Sequence, residues 1–468
     1  MKEEIKEFLI ACKEAAEEIC KREIKSPLYI FSHFDPDGLT AASILAIAFK
    51  REKIPFQLKI LKRLEIKQLN VIGASLPKNA LVIFCDLGSG VIEAFKTWDP
   101  SIQIYILDHH SLVSECKLQE NVHLINPHCY SIDGSNKVSG SGVSYFVAIY
   151  INSSNTNLAH LAIIGALGDR QDQGEHSSLI GLNQKIVKDA IDNQLCTDFV
   201  SVWFYDRTRD LISCLKRLNI EEFNEEIAIH YFLNEIGIPF TGKTGRRTVL
   251  ELNEEEKKKL ASELIVRNLV DPKVIYKHDY QLLKEQVVQI QDARVFANRL
   301  NACGRMNRPD VGIALCMGDR NQALTELKPI LKAYSKQIGE GIKWVLSDNN
   351  LEELSALYFI DGRSRIEENI IGPITSILSS MEEYSAKPIL SCAKIDETRV
   401  KISIRKAHSS DNETELDKLL QRGIKKLNLD TEVGGHSSAA GAILIEKELS
   451  SFKNHLNNML LESQETGN

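Results

Sequence analysis

Apolar residues in the first part of the chain recur with two different spacings. Short uninterrupted apolar runs, typical of buried strands, alternate with stretches in which apolar residues recur every three or four positions, as in amphipathic helices. The runs lie at 28–33, 57–61, 80–86 and 103–107, and the helical spacing lies at 2–24, 39–50, 65–75 and 91–97. Strands that alternate with helices in this way predict a mostly parallel sheet covered by helices.

The alternation stops after about residue 205 and resumes in the last third of the chain. The intervening segment, from about 215 to 290, has mainly helical spacing. Strand-like runs then return at 356–360, 388–395 and 399–405, with helical spacing from Pro373 and at 416–427. This second group of strands and helices predicts a separate domain of the α/β or α+β class.

We therefore predict an α/β fold with two lobes and a cleft between them. A chain of 468 residues is too long for one ordinary hydrophobic core, which favours several domains. The predicted parts are a mostly parallel-sheet domain at 1–205, a helical connector at 206–335 and a smaller α/β domain at 336–468.

Composition narrows the class of protein further. The formal net charge of -7 excludes a uniformly basic surface, so any nucleic-acid groove must be locally basic. The ten cysteines form no Cys-x-x-Cys pair, which argues against a zinc ribbon or a disulfide framework. The chain shows neither a signal-peptide pattern nor a long apolar run, so we expect a soluble cytoplasmic protein without a membrane partner.

Ligand-type side chains follow three of the predicted strands, and another follows the helical run 161–168. They are five aspartates and three histidines: His33, Asp35, Asp37, Asp86, Asp108, His109, His110 and Asp169. The carboxyl ends of parallel strands meet at one edge of a sheet, where binding sites of open α/β sheets lie. A single aspartate there is usually a turn or N-cap residue. The repeated pattern is what predicts a site.

Clustered carboxylates repel one another unless a cation neutralises them. Carboxylate oxygens mixed with imidazole suit Mn²⁺, with Mg²⁺ as the alternative, better than metals that prefer thiolates. Two such ions can activate a water molecule and stabilise the oxygens of an in-line phosphoryl displacement. The pattern therefore predicts hydrolysis of a phosphoester or phosphoanhydride.

The same residues resemble four ordered motifs of the DHH phosphoesterase superfamily. The motifs correspond to His33-x-Asp35-x-Asp37-Gly38, Asp86, Asp108-His109-His110 and Asp169. The resemblance implies two sets of ion ligands that share Asp86: His33 and Asp35 in one, and Asp37, His109 and Asp169 in the other. It also implies that Asp108 and His110 orient ligands or meet the scissile phosphate as catalytic residues.

Three further segments are candidates for substrate binding. The turn Ser139-Gly140-Ser141-Gly142 opens a predicted helix, and free amides there would hold an anion, with Ser141 as the candidate contact. Ser141 as a plain N-cap is the alternative. The other two segments carry resemblances of their own.

The segment Asn301-Ala302-Cys303-Gly304-Arg305 resembles the Asn-Ala-x-Gly-Arg motif of RecJ-type single-strand exonucleases. Arg305 is the first candidate for a backbone phosphate contact, and Asn301 and Arg299 come second, because a guanidinium can bind a phosphate with two donors. An ion pair between Arg305 and an acidic neighbour is the alternative.

The segment Gly434-Gly435-His436 resembles the Gly-Gly-His turn of the DHHA1 domain, which accompanies the DHH domain in this superfamily. Glycines allow the backbone to approach a phosphate closely, and His436 would bind or protonate a substrate oxygen as a catalytic residue. A buried structural histidine is the alternative.

Taken together, the resemblance points to RecJ-like exonucleases of the archaeal type. It implies Mn²⁺-dependent release of mononucleotides from single-stranded DNA or RNA, in replication or repair, and association with the GINS replication complex. Two alternatives stay open: a phosphodiesterase of short oligonucleotides or cyclic dinucleotides, and a Cdc45-like replication scaffold without catalysis. The direction of cleavage and the choice between DNA and RNA are left open.

Overall fold

The computed structural model describes most of the chain, in ranges separated by short gaps. The described residues are 3–21, 27–112, 118–204, 206–218, 220–242, 245–347, 350–407, 415–429, 431, 433–436 and 438–465. The chain divides into two compact units, Met1–Lys328 and Pro329–Asn468. Within the described ranges, no helix has the length and apolar character needed to cross a membrane. The nine described cysteines are all free thiols.

A five-stranded parallel sheet forms the centre of the first unit, as predicted. Its strands are β1 (Leu28–His33), β2 (Phe56–Leu61), β3 (Leu81–Cys85), β4 (Gln103–Leu107) and β5 (Val122–Ile125), in the order β2-β1-β3-β4-β5. The sequence pattern did not predict β5. Only two of its four residues are buried, so it lacks the continuous apolar run of its neighbours.

Helices cover this sheet. They are α1 (Glu3–Lys21), α2 (Pro36–Arg51), α3 (Ile66–Ser75), α4 (Gly140–Ile151), α5 (Ala159–Gly168) and α6 (Leu182–Asp192). A short 3₁₀ helix, Ser89–Thr97, occupies the place of the predicted helix at 91–97. The helix α2 is buried along nearly its whole length and packs against α4 and α5, as expected for a helix that is apolar on all sides.

The rest of the first unit mixes short helices with small antiparallel strand pairs. These elements are β6 (Phe199–Val202), α7 (Leu211–Lys216), α8 (Glu226–Glu235), β7 (Thr241–Gly242), β8 (Gly245–Arg246), α9 (Glu254–Val266), α10 (Pro272–Ile275), β9 (Tyr276–Asp279), α11 (Ala293–Arg305) and α12 (Pro309–Cys316). Residues 202–275 contribute a hydrophobic core of their own. The helix α11 leaves that region and packs against α5 and α2, next to the parallel sheet.

The helix α13 (Gln322–Leu346) crosses the boundary between the units. The second unit contains a six-stranded mixed sheet in the order β10-β11-β12-β13-β15-β14. Its elements are β10 (Leu351–Glu353), β11 (Tyr358–Asp361), α14 (Glu368–Leu378), β12 (Ile389–Lys394), β13 (Arg399–Arg405), α15 (Leu416–Lys426), β14 (Val433–His436), β15 (Ala439–Ile445) and α16 (Leu449–Glu465). The α/β fold with a separate carboxyl-terminal sheet confirms the predicted fold class. The three-part division and the cleft stay predictions.

Candidate metal centre

The predicted ligands gather at the carboxyl edge of the parallel sheet. Because β1, β3 and β4 are adjacent and Ser32, Cys85 and Leu107 lie in register, the residues that follow these strands come together. The ligand atoms form three groups, each within 4.8 Å: His33, Asp35 and Asp86; Asp37, His109 and Asp169; and Asp86, Asp108, His109 and His110. Asp86 and His109 each belong to two groups, so all eight residues form one connected cluster.

The turn between β1 and α2 holds the first two aspartates in different ways. Asp35 is the N-cap of α2, and its Oδ1 accepts a hydrogen bond of 3.0 Å from the backbone N–H of Gly38. The other carboxylate oxygen, Oδ2, lies 2.9 Å from Nδ1 of His33. Asp37 lies in the first turn of α2, and its side chain is buried. One turn thus provides a partly exposed pair, His33 and Asp35, and a buried carboxylate, Asp37.

The amino terminus of α4 binds the carboxylate of Asp37. The backbone N–H of Gly140 donates to Oδ2 at 2.6 Å, and that of Ser141 donates to Oδ1 at 3.0 Å. The positive end of the helix dipole also favours a carboxylate here. The prediction that free amides of this turn hold a substrate phosphate is therefore corrected. Ser141 is fully buried, and the N-cap of α4 is Ser139.

Asp86 lies at the centre of the cluster in a strained backbone conformation. Its φ is 57°, in the left-handed region that residues other than glycine rarely adopt and that occurs more often at functional sites. Its Oδ1 lies 3.2 Å from Nε2 of His109, and its Oδ2 lies 3.7 Å from Nδ1 of His33. A Cβ on Gly140 would lie 2.7 Å from the Cβ of Asp86, so this close approach requires glycine.

A hydrogen bond on Nδ1 of His109 orients the ring so that Nε2 faces the carboxylates. Its Nδ1–H donates to the carbonyl of Gly134 at 2.8 Å, since a carbonyl can only accept. Its Nε2 lies 3.6 Å from Asp37 and 3.7 Å from Asp169. This is the orientation of a histidine that ligates a metal through Nε2.

Asp108 is an organising residue of the cluster. Its side chain is buried, and its Oδ1 accepts from Nδ1 of His110 at 2.7 Å and from the backbone N–H of His109 at 2.8 Å. Its Oδ2 accepts from the backbone N–H of Ser89 at 2.9 Å. His110 is 33% exposed and is therefore the member of this pair that a substrate can reach.

Asn126 supports the same pair and was missed in the sequence. Its side-chain N–H groups donate to Oγ of Ser89 and to the carbonyl of His110, both at 2.9 Å. Asn126 is buried and directly follows β5. Asn126 is a polar residue at a strand end, like the predicted ligands. It would have been identified from the sequence if β5 had been predicted.

The surroundings within the cluster raise the pKa values of two of its members, Asp37 and His33. Burial, together with the charge of Asp86, raises the pKa of Asp37 to about 8. Burial would lower the pKa of His33, but the charges of Asp35 and Asp86 outweigh it and raise that pKa to about 10. Without a cation, the cluster therefore balances its charge by holding protons, which a divalent cation would displace.

The donor set fits divalent cations. Oδ2 of buried Asp86 accepts no hydrogen bond from any residue that the structure describes, a costly state for a buried acceptor unless a cation faces it. Carboxylate oxygens and imidazole nitrogens together suit Mn²⁺ and Mg²⁺. The three groups of ligand atoms overlap at Asp86 and His109.

The two arginines of α11 predicted to contact a phosphate, Arg299 and Arg305, have different surroundings. Arg299 donates to Oδ2 of Asp206 at 2.6 Å, and both side chains are largely buried. This largely buried ion pair argues against a contact between Arg299 and a substrate phosphate, and that contact stays a prediction. The sequence alone could not place Asp206 beside it.

Arg305 and Asn301 lie near the carboxyl end of α11, beside the first motif. The guanidinium of Arg305 lies 5.1 Å from the centre of the Phe34 ring, and its Nε donates to Oδ1 of Asn301 at 3.3 Å. A Cβ on Gly304 would lie 1.9 Å from the carbonyl oxygen of Phe34, so only glycine permits this contact. Both polar side chains are partly exposed.

The Gly-Gly-His segment lies in the second unit, on β14. Gly435 has a φ of 117°, in the region that favours glycine, and Gly434 is exposed. The side chain of His436 lies outside the part of the chain that the structure describes. The roles of Gly434, Gly435 and His436 stay predictions.

Comparisons with known proteins agree with the motifs. Residues 27–166 match the DHH family, N-terminal domain. The chain is 28% identical over 486 residues to an uncharacterized protein of Methanocaldococcus jannaschii, and the alignment covers 99% of both chains.

Several solved structures have a similar fold. Thermus thermophilus RecJ in complex with Mn²⁺ has a TM-score of 0.58 at 16% identity; the match covers 97% of this chain but only 55% of that RecJ. CDC45 from Entamoeba histolytica has a TM-score of 0.64 at 13% identity, with 96% of this chain and 99% of that chain covered. These identities show the fold alone. Together with the family match over residues 27–166, they indicate a DHH domain in a chain with a RecJ-like fold.

Proposed function

We propose that this chain, which carries a DHH family domain and a RecJ-like fold, is a two-metal phosphodiesterase that degrades single-stranded DNA or RNA to mononucleotides. The observation that carries the proposal is the connected cluster at the carboxyl edge of the sheet, in which Asp86 and His109 each belong to two ligand groups. A structural role alone would not explain a buried Asp86 in a left-handed conformation with an oxygen that accepts no hydrogen bond among the described residues.

The ligand groups suggest how two ions would be held. His33 and Asp35 would bind one ion, Asp37, His109 and Asp169 would bind the other, and Asp86 would contact both. Mn²⁺ is the proposed ion and Mg²⁺ the alternative, since RecJ structures of similar fold contain either. When bound, such ions activate a water molecule and neutralise charge on the phosphate oxygens.

Other residues of the chain would handle the proton and the substrate. Asp108 fixes the ring of His110 through Nδ1, so that His110 would hold a proton at an oxygen of the scissile phosphate through Nε2. Arg305 and Asn301, next to the first motif, would contact the phosphate backbone of the strand. We propose that Gly434, Gly435 and His436 of the second unit contribute further substrate contacts.

A length series of end-labelled strands tests this function. Full-length protein with Mn²⁺ should shorten single-stranded DNA or RNA progressively to mononucleotides and leave duplexes intact. Cleavage restricted to dinucleotides or cyclic dinucleotides would support the short-substrate alternative instead. If wild type and an Asp35→Ala, Asp86→Ala double variant both leave every strand untouched, the scaffold alternative would stand.

The proposed cellular setting is cytoplasmic DNA replication or repair. The likeness to RecJ and CDC45 supports a nucleic-acid or replication-complex partner, and the GINS complex is the proposed protein partner. Co-purification of the chain with GINS subunits, unchanged by nuclease treatment, would be the expected result. Loss of the association after that treatment would mean that nucleic acid alone bridges them.

Replacing Arg305 with alanine is expected to raise KM for single strands about 10- to 100-fold with little change in kcat. Hydrogen bonds to charged groups contribute about 1.5–3 kcal/mol, and a contact made equally in the ground and transition states affects KM alone. Steady-state kinetics on a labelled 20-mer would measure both constants.

The matched control is Arg299→Ala in the same helix. It removes the closer ion-pair partner of buried Asp206 and leaves Arg209, whose Nε lies 3.6 Å from the same carboxylate. The loss of this charged hydrogen bond should lower the unfolding free energy by about 1.5–3 kcal/mol and lower Tm. Its KM, measured well below Tm, should stay at the wild-type value. An Arg305→Ala variant with wild-type KM would contradict the proposed phosphate contact.

A further inference from the structure

Two buried amide side chains lie behind the candidate metal centre, outside all the motifs. Gln171 and Asn183 have 0% and 1% of their surface exposed. Neither residue was singled out by the sequence pattern. Side-chain amides buried to this extent are expected to be hydrogen-bonded. The groups to which they are bonded therefore indicate their role in the structure.

The side chain of Gln171 is hydrogen-bonded to the candidate ligand Asp169 and to the backbone carbonyl of Gly134. Its Nε2 donates to Oδ2 of Asp169 at 2.9 Å and to the carbonyl of Gly134 at 2.8 Å. The same Gly134 carbonyl accepts the hydrogen bond of His109 Nδ1. One amide group of Gln171 therefore contacts a candidate ligand directly and shares the anchor of another.

The orientation of the Gln171 amide follows from its partners. A carbonyl and an ionised carboxylate can only accept, so the nitrogen must face Gly134 and Asp169. The oxygen, Oε1, then faces Asn183, whose Nδ2 donates to it at 2.7 Å. Reversing the Gln171 amide would set oxygen against oxygen on both acceptors. Asn183 therefore stabilises the one orientation in which Gln171 can donate to Asp169.

Asn183 makes this hydrogen bond at a cost. Its Oδ1 is buried and has no hydrogen-bond partner among the residues that the structure describes. Its backbone N–H donates to the carbonyl of Lys137 at 2.8 Å, which fixes the start of α6 against the segment that leads into α4. A buried acceptor without a hydrogen bond is unfavourable, so the Oδ1 atom does not explain why an asparagine lies here. The side-chain hydrogen bond described for Asn183 is the one that it donates to Gln171.

The end of α5 brings Asp169 and Gln171 to the same place. Arg170 adopts a φ of 59°, and the backbone N–H groups of Gln171 and Arg170 donate back to the carbonyls of Ala166 and Leu167. This is the Schellman arrangement, which reverses the chain at a helix terminus. Residues on either side of Arg170 are thereby placed next to each other.

We propose that Gln171 and Asn183 are positioning residues for the metal centre. Asn183 orients the Gln171 amide, and that amide fixes the carboxylate of Asp169 and, through the Gly134 carbonyl, the ring of His109. The inference rests on the proposed function, since it assumes that Asp169 and His109 bind a cation. Groups that orient metal ligands in this way typically contribute about 10- to 100-fold to metal affinity.

Calorimetric titration of metal-free full-length protein with Mn²⁺ tests the pair. Gln171→Met, which keeps an unbranched side chain and removes the donor, should weaken Mn²⁺ binding about 10- to 100-fold. Asn183→Leu should weaken it less, because Gly134 and Asp169 still favour the same amide orientation. The double variant should bind as weakly as Gln171→Met alone, since Asn183 acts only through Gln171.

The control is Asn155→Leu, which removes another fully buried amide, donating to the carbonyl of Ala148. It should lower Tm in EDTA without changing the affinity for Mn²⁺. The amount of Mn²⁺ giving half-maximal hydrolysis should rise in Gln171→Met, and excess Mn²⁺ should restore kcat.

The possible outcomes separate this inference from the proposed function. Wild-type protein that binds no Mn²⁺ would overturn both. The positioning role alone would be overturned if wild-type protein binds Mn²⁺ and Gln171→Met binds it with the same affinity. It would also be overturned if the losses of Mn²⁺ affinity in the two single variants add in the double variant. If Gln171→Met does not fold, Asn183→Leu decides: affinity equal to that of Asn155→Leu would refute the role of the pair.

Discussion

Replacing Asp86 with asparagine is expected to lower the hydrolysis of single strands by about 10³-fold or more without unfolding the chain. Stabilisation of charge by bound cations is worth several kcal/mol in such reactions, and each 1.4 kcal/mol corresponds to about tenfold in rate. Asp86 has the largest expected effect because it is shared by two ligand groups and is the residue proposed to contact both ions. Asparagine has nearly the same shape and tolerates the left-handed conformation that Asp86 adopts at a φ of 57°.

Two measurements together check this expectation. Single-turnover hydrolysis of a labelled strand reports the loss of rate. Thermal unfolding with and without Mn²⁺ reports binding, because a ligand that binds only the folded state raises Tm. The Mn²⁺-dependent rise in Tm should appear in wild type and disappear in Asp86→Asn. The control, Asp192→Asn, removes an exposed carboxylate paired with Lys188 and should change neither quantity. Wild-type turnover in Asp86→Asn would refute the two-metal proposal.

The second large effect is expected for His110→Asn, a loss of about 10²- to 10⁴-fold in kcat. This is the range found when a residue that transfers a proton in the transition state is removed. His110 is held by Asp108 through Nδ1 and is the more exposed member of the pair. Unlike Asp86, it is not among the residues proposed to hold the ions, so Mn²⁺ affinity should stay close to that of wild type.

A comparison of kcat with Mn²⁺ affinity separates the two roles. If His110→Asn weakens Mn²⁺ binding in proportion to its loss of rate, His110 is an ion ligand and not a proton-transfer residue. His160→Asn is the matched control, because His160 is held by a neighbouring carbonyl, that of Asn157, and belongs to none of the ligand groups. Its kcat should equal that of wild type.

These expectations rest on residues that the sequence singled out and on contacts that it could not provide. Continuous apolar runs predicted β1, β3 and β4 nearly to their observed ends, and the polar residues after them are the ones gathered in the cluster. The apolar run and the polar residues after it are both local features of the sequence. A strand buried on both faces must be apolar, whereas the loop that follows it lies at the surface and tolerates polar residues. The weaker pattern of β5 concealed that strand and, with it, Asn126.

Residues of the same type received different roles from their distant neighbours. Arg299 and Arg305 lie on one helix, yet Asp206 pairs with the first and Phe34 lies under the second. The α4 amides expected to bind a phosphate bind Asp37, which is more than 100 residues away in the chain. No spacing in the sequence distinguishes these outcomes.

The amino-acid sequence by itself determined the alternation of strands and helices, the parallel sheet and the ligand-type side chains at its edge, because each depends on periodicity and on chain direction. Only the tertiary structure decided which residues the α4 amides and the α11 arginines contact, and which two buried amides lie behind Asp169 and His109. Those outcomes depend on which remote donors and acceptors meet once the helices pack, and most buried polar groups find their partners among them.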